Sequence, residues 1–285
     1  MKTVRTVSEL RAALVGERRA GRTIGLVPTM GYFHDGHLSL IRRARADCDM
    51  VVVSLFVNPA QFAPAEDFSA YPRDEDADCE RAEAAGVDLL FAPALDEVYP
   101  AGFDATVSVG GLTETLEGDP AQRGRSHFDG VATVVTKLFN MVGPDVAYFG
   151  QKDAQQALVM RKLVRDLDIP VRIEVCPTVR DSDGLALSSR NVYLSAEERE
   201  RALALSRALR AAEARAEGGD RDAAALLAAA RTELDRAGIM PDYLELRSLR
   251  DLSPVERMNG SALLAVAARV GRTRLIDNTI LKGDP

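Results

Sequence analysis

Two of the chain's three histidines lie three residues apart in the run Pro28–His37. His34 and His37 follow a short apolar stretch, residues 24–27, and precede a helix-like stretch, residues 38–45. Residues three apart share a face at the start of a helix, where unpaired N–H groups and the helix dipole favour anions. Two imidazoles there suit the chemistry of holding a nucleotide α-phosphate while a carboxylate or phosphate attacks it. The alternative is a pair of surface loop histidines, which the glycine, the preceding strand and the helix start argue against.

Two amide side chains follow the next buried strand. Residues 50–57 form an apolar run with four valines, and Asn58 and Gln61 come directly after it. Amides both donate and accept hydrogen bonds, so they suit a substrate with hydroxyls and a carboxylate. The alternative is a plain turn in which Asn58 caps the backbone and Pro59 fixes φ.

A glycine, a lysine and an aspartate lie together in the segment Phe149–Gln156, where a strand gives way to a helix. Gly150 allows a ligand to approach the backbone closely, and Lys152 can meet a phosphate as a point charge. Asp153 is suited either to cap the helix or to hold ribose hydroxyls. For Lys152 the alternative is an ordinary solvated lysine.

Two hydroxyls and a guanidinium are adjacent at Ser188, Ser189 and Arg190. Together they suit a phosphate clamp, and a hinge loop of this kind can close over bound ATP and exclude water. The alternative is an ordinary polar linker.

Two further charged clusters have roles that the residues alone leave open. Four acids at residues 74–78 can supply a ligand to the Mg²⁺ that accompanies a nucleotide, although helix starts attract acids in any case. Arg123, Arg125 and His127 precede a helix and either add positive charge to the site or play no part in it.

Composition limits the partners that this chain can bind. Its 285 residues suggest one large or two moderate domains, and 46% hydrophobic with 28% charged residues is ordinary for a globular protein. The net charge of −7 argues against general affinity for nucleic acid or anionic membranes. Tryptophan is absent and aromatics are 5%, which argues against a base-stacking surface. An anionic substrate therefore needs a local cationic pocket.

Cysteine usage and the N-terminal sequence predict a cytoplasmic location. Cys48, Cys79 and Cys176 are odd in number and widely spaced, which favours buried reduced thiols over a zinc site or disulfide framework. Residues 1–19 lack a signal-peptide core, and no stretch reaches the roughly 18 apolar residues that span a bilayer.

Strands and helices alternate in the first part of the chain, which predicts an α/β fold with a doubly wound, Rossmann-like parallel sheet. Ligands of such sheets collect at the carboxyl ends of the strands. The histidine turn, the 58–61 loop and the 149–153 turn all follow predicted strands and are expected to converge there. The predicted strands are residues 23–28, 50–57, 87–92, 106–109, 146–149 and 171–175, and the predicted helices are residues 7–19, 38–46, 74–85, 130–141 and 153–167.

The pattern changes after Arg190. Two alanine-rich helices, residues 196–217 and 220–237, precede alternating segments at 243–247, 262–270 and 273–278, which predict an antiparallel sheet. We therefore expect a Rossmann-like domain over residues 1–180 and a smaller α+β lid domain over residues 181–285.

Taken together, these motifs closely resemble the pantoate–β-alanine ligase (pantothenate synthetase) family of the nucleotidyltransferase superfamily. The His-x-Gly-His element is shared by many nucleotidyltransferases and class I tRNA synthetases. The pair Phe-Val-Asn-Pro-x-Gln-Phe and Phe-Gly-x-Lys-Asp-x-Gln-Gln is much more specific. The matching segments keep the family's order and approximate spacing: Pro28–His37, Val53–Phe62, Asp67–Arg73, His127–Asn140, Phe149–Gln156 and Leu185–Leu194.

The resemblance implies a two-step reaction with ATP, D-pantoate and β-alanine as substrates. Pantoate attacks the α-phosphate of ATP to give pantoyl adenylate and pyrophosphate, and β-alanine then displaces AMP. It also implies Mg²⁺ accompanying ATP, no tightly bound organic cofactor, and a homodimer.

The resemblance implies a role for each matched residue. His34, His37 and Lys152 are the catalytic set. Ser188, Ser189 and Arg190 contact the phosphates with them, and Gln61 and Gln156 hold pantoate. Met30 borders the reacting groups, Gly150 and Asp153 hold the ribose, Val179 and Leu187 offer backbone groups to adenine, and Asp78 is the nearest match to a magnesium contact.

The sequence departs from the family pattern at two places. The family usually reads Arg-Pro-Gly-His-Phe, but no arginine lies three residues before His127, so that arginine's role is not carried over. The two positions after Gly31 often hold Ala-Leu in the family and here hold Tyr32-Phe33. These bulkier side chains are expected to reshape the pocket edge without changing the chemistry.

Two other functions compete with this one. An adenylyl- or cytidylyltransferase acting on a phosphorylated acceptor would use the same histidine turn, but would need more cations at the acceptor site than Asn58, Gln61 and Gln156 supply. A degenerate nucleotide-binding regulator is the second, and the intact histidines and Lys152 argue against it.

Overall fold

The computed structural model of the chain describes residues 1–62 and 68–283. Asp67, the first residue of one matched segment, therefore lies outside the described residues. The chain divides into two compact units: residues 1–150 with 155–177, and residues 151–154 with those from 178 onward. The short segment with Lys152 and Asp153 thus groups with the second unit.

The first unit is built on a six-stranded sheet. Its strands are β1 (Lys2–Val4), β2 (Ile24–Thr29), β3 (Met50–Leu55), β4 (Leu89–Phe91), β5 (Val146–Gly150) and β6 (Arg172–Cys176). They lie in the order β1-β4-β3-β2-β5-β6, and every pairing is parallel. The predicted doubly wound α/β class is confirmed. The strand order reverses between β2 and β5, so ligands are expected at the carboxyl ends of these two strands.

Helices connect the strands of this sheet. They are α1 (Val7–Arg19), α2 (Asp35–Asp47), α3 (Glu75–Ala84), α4 (Leu95–Val98), α5 (Arg125–Val142) and α6 (Ala154–Asp166). Helix α2 packs on β2, β3 and β5, and α1 packs on α5. Val27, Val51 and Val53 are fully buried in the core with Ile41 of α2, as the unbroken apolar runs of these strands predict.

The second unit combines two helices with a small antiparallel sheet. Its elements are α7 (Ala196–Glu217), α8 (Ala223–Arg236), β7 (Pro241–Ser248), β8 (Ala262–Val270) and β9 (Thr273–Leu281). The strands lie in the order β7-β8-β9, and Gly271-Arg272 forms the turn between β8 and β9. Small alanines let α7 and α8 share one core with β8, in which Ala208, Ala230 and Leu264 are fully buried. The α+β class of this part is confirmed.

The structure corrects three details of the sequence-based assignment. Residues 106–109 do not form a strand; instead, Val107 N donates to the hydroxyl of Thr133 on α5 at 2.9 Å, so a tertiary contact satisfies the backbone. Helix α5 begins at Arg125 rather than Gly130. The short elements β1 and α4 were not predicted because three or four residues are too few to show a repeating pattern.

The cysteines match the prediction of unpaired thiols, except that Cys79 is only partly buried. Burial raises the pKa of Cys176 to about 11, which keeps that thiol uncharged and unreactive near neutral pH. Within the described part of the chain, no helix has the length and apolar character needed to cross a membrane.

Candidate active site

The turn after β2 brings two histidines to the start of α2. His34 is the N-cap residue; its Nδ1 accepts from Gly36 N at 3.1 Å, and Nδ1 of His37 accepts from His34 N at 3.4 Å. The ring centroids are 4.1 Å apart. Because Nδ1 is the acceptor in both rings, each neutral imidazole carries its proton on Nε2. Both can therefore donate from Nε2 to an anion at this helix N-terminus, where the dipole also favours negative charge.

Helix α3 fixes the backbone that leads into the histidine pair. The carboxylate of Asp78 accepts hydrogen bonds from Tyr32 N and Phe33 N, both at 2.6 Å. Arg81, one turn further along α3, donates to Phe33 O. Tyr32 has φ of +54° and Gly31 +85°, and the left-handed conformation is unusual for tyrosine. The contacts from α3 hold this uncommon backbone in place.

The contacts of Asp78 bear on its predicted role at magnesium. The residue is 1% exposed. Burial raises the pKa of its carboxyl, and the two amide hydrogen bonds oppose that rise. In the residues that the structure describes, no three His, Cys, Asp or Glu side chains are grouped to hold a metal ion. The contacts of Asp78 are thus with the histidine turn, and its contact with magnesium stays a prediction that no described contact supports.

Asn58 organises the turn after β3. Its Oδ1 accepts from Ala60 N at 3.3 Å and from the Tyr99 hydroxyl at 2.8 Å. Its Nδ2 donates to Gln61 Oε1 and to Gly130 O, both at 3.1 Å. The side chain is 1% exposed, so its amide is fully used inside the protein. Asn58 therefore caps the turn, as the plainer alternative predicted, and at the same time orients the side chain of Gln61.

The turn at residues 59–61 lies directly against α5. A Cβ added at Gly130 would stand 2.1 Å from Ala60 O and 2.7 Å from Gln61 N. No side chain fits at such distances, so glycine is required inside this helix. Gly130, the first residue of the predicted helix, lies inside α5 and marks a close approach between this helix and the turn.

Gln61 is held by its main chain as well as its side chain. Its carbonyl accepts from Nδ1 of His127 at 2.8 Å and from Arg123 at 3.3 Å. Arg123 also lies 3.0 Å from Nε2 of His127, which therefore accepts while Nδ1 donates. The side-chain Nε2 of Gln61 contacts Sδ of Met30 at 3.1 Å. Met30, predicted to border the reacting groups, and Gln61, predicted to hold pantoate, are thus neighbours.

These contacts give Arg123 and His127 the role that the sequence left open. They support the backbone of Gln61, although Arg123 lies four residues before His127 rather than the family's usual three. Arg125, in contrast, is an exposed residue that forms ion pairs with Glu114 at 3.5 Å and Asp129 at 3.9 Å.

Two adjacent glutamines follow β5 and differ in their surroundings. Gln155 is 5% exposed and makes three hydrogen bonds of 2.7–3.0 Å to the backbone of residues 112–117. Gln156 is half-buried. Gly150, at the end of β5, has no described atom within 4 Å of where a Cβ would stand, which leaves the backbone accessible there.

In the second unit, Lys152 and Asp153 share a short 3₁₀ turn, Gln151–Asp153. Lys152 Nζ lies 3.5 Å from Asp153 Oδ1, and the two side chains are 20% and 47% exposed. Lys152 is therefore a half-buried cation beside a more exposed carboxylate, rather than a freely solvated lysine.

The loop with the predicted phosphate clamp is well structured. Ser188 caps a 3₁₀ turn, Ser189–Tyr193, with its Oγ accepting from Arg190 N at 3.3 Å. Ser189 is buried. Leu187 N donates to Val179 O at 3.0 Å, so the two residues predicted beside adenine are paired across one loop. The predicted contacts of these five residues with a nucleotide stay predictions.

Sequence reasoning missed one polar cluster in the same unit. Asp277 and Asn278 are 4% and 5% exposed on β9. Asp277 forms a bidentate ion pair with Arg180 at 2.6 and 2.9 Å. The available signal was the run of three consecutive polar residues, 277–279, between two apolar pairs of this strand.

The first unit is therefore of the nucleotide-binding α/β class. A pair of imidazoles stands at a helix start beside the point where the strand order reverses. The turn that carries the amides of Asn58 and Gln61, here called the amide turn, follows the neighbouring strand β3. This arrangement is suited to bind a phosphate group together with a polar acceptor.

Comparison with known proteins identifies the family within this class. The pantoate–β-alanine ligase family model matches residues 2–280. Pantothenate synthetases of Heliobacterium modesticaldum and Acidobacterium capsulatum are 53% and 52% identical, over 99% and 100% of this chain and 100% and 98% of their own. The chain belongs to the pantoate–β-alanine ligase family, and it is a ligase.

Solved structures of the same family also match this chain. Pantothenate synthetase from Thermus thermophilus superposes with a TM-score of 0.93 at 49% identity, covering 99% of this chain and 100% of its own. The Francisella tularensis pantoate–β-alanine ligase, solved in complex with β-γ ATP and β-alanine, has a TM-score of 0.80 at 32% identity. That match covers 100% of this chain and 99% of the other.

Proposed function

We propose that this chain uses ATP to condense D-pantoate with β-alanine, through a pantoyl adenylate, releasing pyrophosphate and AMP. The observation that carries the proposal is the His34–His37 pair at the start of α2, whose Nδ1 atoms accept from the backbone, so that the N–H donor of each neutral ring is Nε2. The complex of the Francisella relative with β-γ ATP and β-alanine supports the choice of two of the substrates.

In the first step, a carboxylate oxygen of pantoate attacks the α-phosphorus of ATP. The new P–O bond forms as the bond to the β-phosphate oxygen breaks, and pyrophosphate leaves with the electron pair. His34, His37 and Lys152, with Ser188, Ser189 and Arg190, stabilise the charge that develops on the phosphates. The protein supplies no nucleophile, so the rate depends on positioning and charge neutralisation.

Pantoate is held by Gln61 and Gln156 beside Met30. Gln61 is suited to this task because its carbonyl and side chain are both fixed by neighbours, so little side-chain freedom is lost on binding. The ribose lies against Gly150 and Asp153, and adenine against the backbone of Val179 and Leu187.

In the second step, the free amine of β-alanine attacks the acyl carbon of the adenylate. The C–O bond to the phosphate breaks, AMP leaves, and the amine loses a proton as the amide forms. β-Alanine can enter as the neutral amine, so an obligatory general base is not required of the protein.

Mg²⁺ enters this reaction as part of the ATP substrate. The chain carries a net charge of −7, and Mg²⁺ lowers the negative charge of the nucleotide that must approach it. No tightly bound organic cofactor has a role in either step. We further propose that the enzyme is cytoplasmic and that it works as a homodimer, as the family resemblance implies.

The direct test measures pyrophosphate release from ATP and Mg²⁺ with D-pantoate, with and without β-alanine, together with mass detection of pantothenate. We expect pantoate-dependent pyrophosphate in both cases and pantothenate only when β-alanine is present. Turnover with phosphorylated alcohols but not with pantoate would instead favour a nucleotidyltransferase.

A further inference from the structure

The side chain of Asn278, on β9, is bonded to the segment that carries Lys152. Its Nδ2 donates to Gln151 O at 3.0 Å and to Lys152 O at 2.8 Å. Its Oδ1 accepts from Nε2 of Gln151 at 3.0 Å. Because Asn278 is 5% exposed, water cannot readily replace these bonds, and losing one leaves a buried polar group unsatisfied.

The neighbours of Asn278 hold it in turn. Its backbone N–H donates to Asp277 Oδ1 at 2.8 Å, and Asp277 is the carboxylate paired with Arg180. Arg180 also donates to Gly184 O at 3.2 Å. One buried cluster thus joins the Lys152 segment to the loop that starts beside Val179.

Strand β9 is a rigid base for this contact. It is paired with β8 along its whole length, with Asn278 opposite Ala265 and Asp277 opposite Val266. Lys152, in contrast, lies in a single 3₁₀ turn, and a lysine side chain has four rotatable bonds. Anchoring the lysine's own carbonyl fixes where that flexible side chain begins.

We propose that Asn278 is a positioning residue that sets the location of the Lys152 ammonium for the first half-reaction. This inference rests on the proposed function, in which Lys152 neutralises charge as pyrophosphate leaves. If the anchor is removed, Lys152 remains present and charged but is no longer held at the transferring phosphate. The loss then falls on kcat rather than on the KM for pantoate, which is bound by residues of the other unit.

The test compares Asn278→Ala with Thr279→Val in the full-length enzyme. Thr279 is the next residue of β9, and its hydroxyl donates to Glu213, so the control also loses a hydrogen bond from this strand without touching Lys152. For Asn278→Ala we expect kcat for pantoate-dependent pyrophosphate release to fall about 10- to 100-fold, as for other small misplacements of a reacting group. The KM for pantoate should stay within about twofold, because its contacts are unchanged. Thr279→Val should lower the melting temperature and leave kcat unchanged.

A second variant keeps the test decisive if Asn278→Ala does not fold. Gln151→Ala removes only the bond that orients the Asn278 amide, at a half-buried position. It should lower kcat about threefold or more without a matching loss of melting temperature, because the anchor is loosened rather than lost.

The outcomes separate this inference from the proposed function. Wild-type turnover with pantoate and its loss in Lys152→Ala test the proposed function alone. If both hold and folded Asn278→Ala, or in its place Gln151→Ala, keeps wild-type kcat, the positioning role is wrong. A fall in kcat that Thr279→Val reproduces in full would also overturn it, because the effect would then belong to the strand and not to the anchor.

Discussion

At the scale of single residues, the candidate site consists of polar groups that are held in one orientation by their hydrogen-bond partners. The histidines accept at Nδ1 from the backbone, and Gln61 is held at its carbonyl by His127. Buried hydrogen bonds of this kind add modest stability once formed, but removing one partner leaves the other unsatisfied at a larger cost. Substitutions beside the substrate contacts are therefore expected to matter as well as substitutions of the contacts themselves.

Replacing His127 by alanine tests this view for the pantoate end of the site. The change removes the shorter of the two hydrogen bonds to Gln61 O and also the partner that orients the second donor, Arg123, so Gln61 should be held less firmly. We expect the KM for pantoate to rise about tenfold, with a loss of about 1–3 kcal/mol in unfolding free energy. Kinetic titration of pantoate at saturating ATP measures the first effect, and denaturant unfolding measures the second.

Arg125→Ala is the matched control, because Arg125 is an exposed residue two positions away that forms long ion pairs with Glu114 and Asp129. Such pairs contribute about 0–1 kcal/mol, so both KM and stability should stay near wild type. An unchanged pantoate KM in His127→Ala would show that the contact with Gln61 does not shape the site.

At the scale of elements, two helices hold the turns that carry the candidate groups. Helix α3 bonds the backbone before the histidine pair through Asp78 and Arg81. Helix α5 packs directly against the amide turn at Gly130. The strands bring the turns to one edge of the sheet, and these helices set their detailed geometry.

Asp78→Asn tests the contribution of α3. One amide N–H of the turn would face the new NH₂ group instead of an oxygen, so the histidine turn should shift. We expect kcat to fall about tenfold or more and unfolding free energy to fall by about 1–3 kcal/mol. Asp76→Asn, on the exposed side of the same first turn, should change neither.

The magnesium dependence of Asp78→Asn distinguishes the two roles considered for this carboxylate. If Asp78 positions the turn, raising Mg²⁺ should not restore activity, because the defect lies in the backbone. Recovery of kcat at high Mg²⁺ would contradict the positioning role and favour metal contact.

Gly130→Ala tests the contact between α5 and the amide turn. A Cβ 2.1 Å from Ala60 O must displace backbone, and overpacking of this kind costs about 1–3 kcal/mol. Because the displaced segment carries Gln61, the KM for pantoate should rise more than the KM for ATP. Gly16→Ala, in α1 with nothing within 4 Å of the added carbon, should be neutral or stabilising; equal effects of the two changes would contradict the proposed contact.

The fold could be largely predicted because its signals are local. Apolar runs such as residues 50–57 and amphipathic segments such as residues 7–19 depend on neighbouring residues, and the structure bears them out. The features that the sequence did not predict depend on contacts between residues far apart in the chain. Val107 finds its acceptor on α5, and Asn278 bonds a residue 126 positions away, which no local pattern indicates. The site residues could be proposed from motifs, whereas the contacts that orient them required the structure.

At the scale of the whole molecule, the proposed reaction draws on both compact units. The histidines and glutamines belong to the first, and Lys152, Ser188, Ser189 and Arg190 to the second. In the described part of the chain, no cluster of ligands would hold a resident metal. Because Mg²⁺ enters the proposed reaction with ATP, we expect it to act as a companion of ATP and not as part of the folded protein.

Chelation separates these two roles of the metal. EDTA in excess over Mg²⁺ should abolish turnover, because free ATP replaces Mg·ATP, while the melting temperature without substrates should stay unchanged. Thermal unfolding with and without EDTA gives the comparison, and restored Mg²⁺ should restore activity. A clear fall in melting temperature on chelation would indicate a structural metal and contradict this view, since a ligand bound only by the native state stabilises it.

The most direct test of the proposed adenylate follows the carboxylate oxygens of pantoate. With both oxygens labelled as ¹⁸O, attack on the α-phosphate and later C–O cleavage must leave one label in AMP and one in the amide carbonyl of pantothenate. Mass spectrometry of both products measures this, and we expect label in AMP in equal amount to the pantothenate formed. Unlabelled AMP, or label in inorganic phosphate with ADP as product, would contradict a pantoyl adenylate.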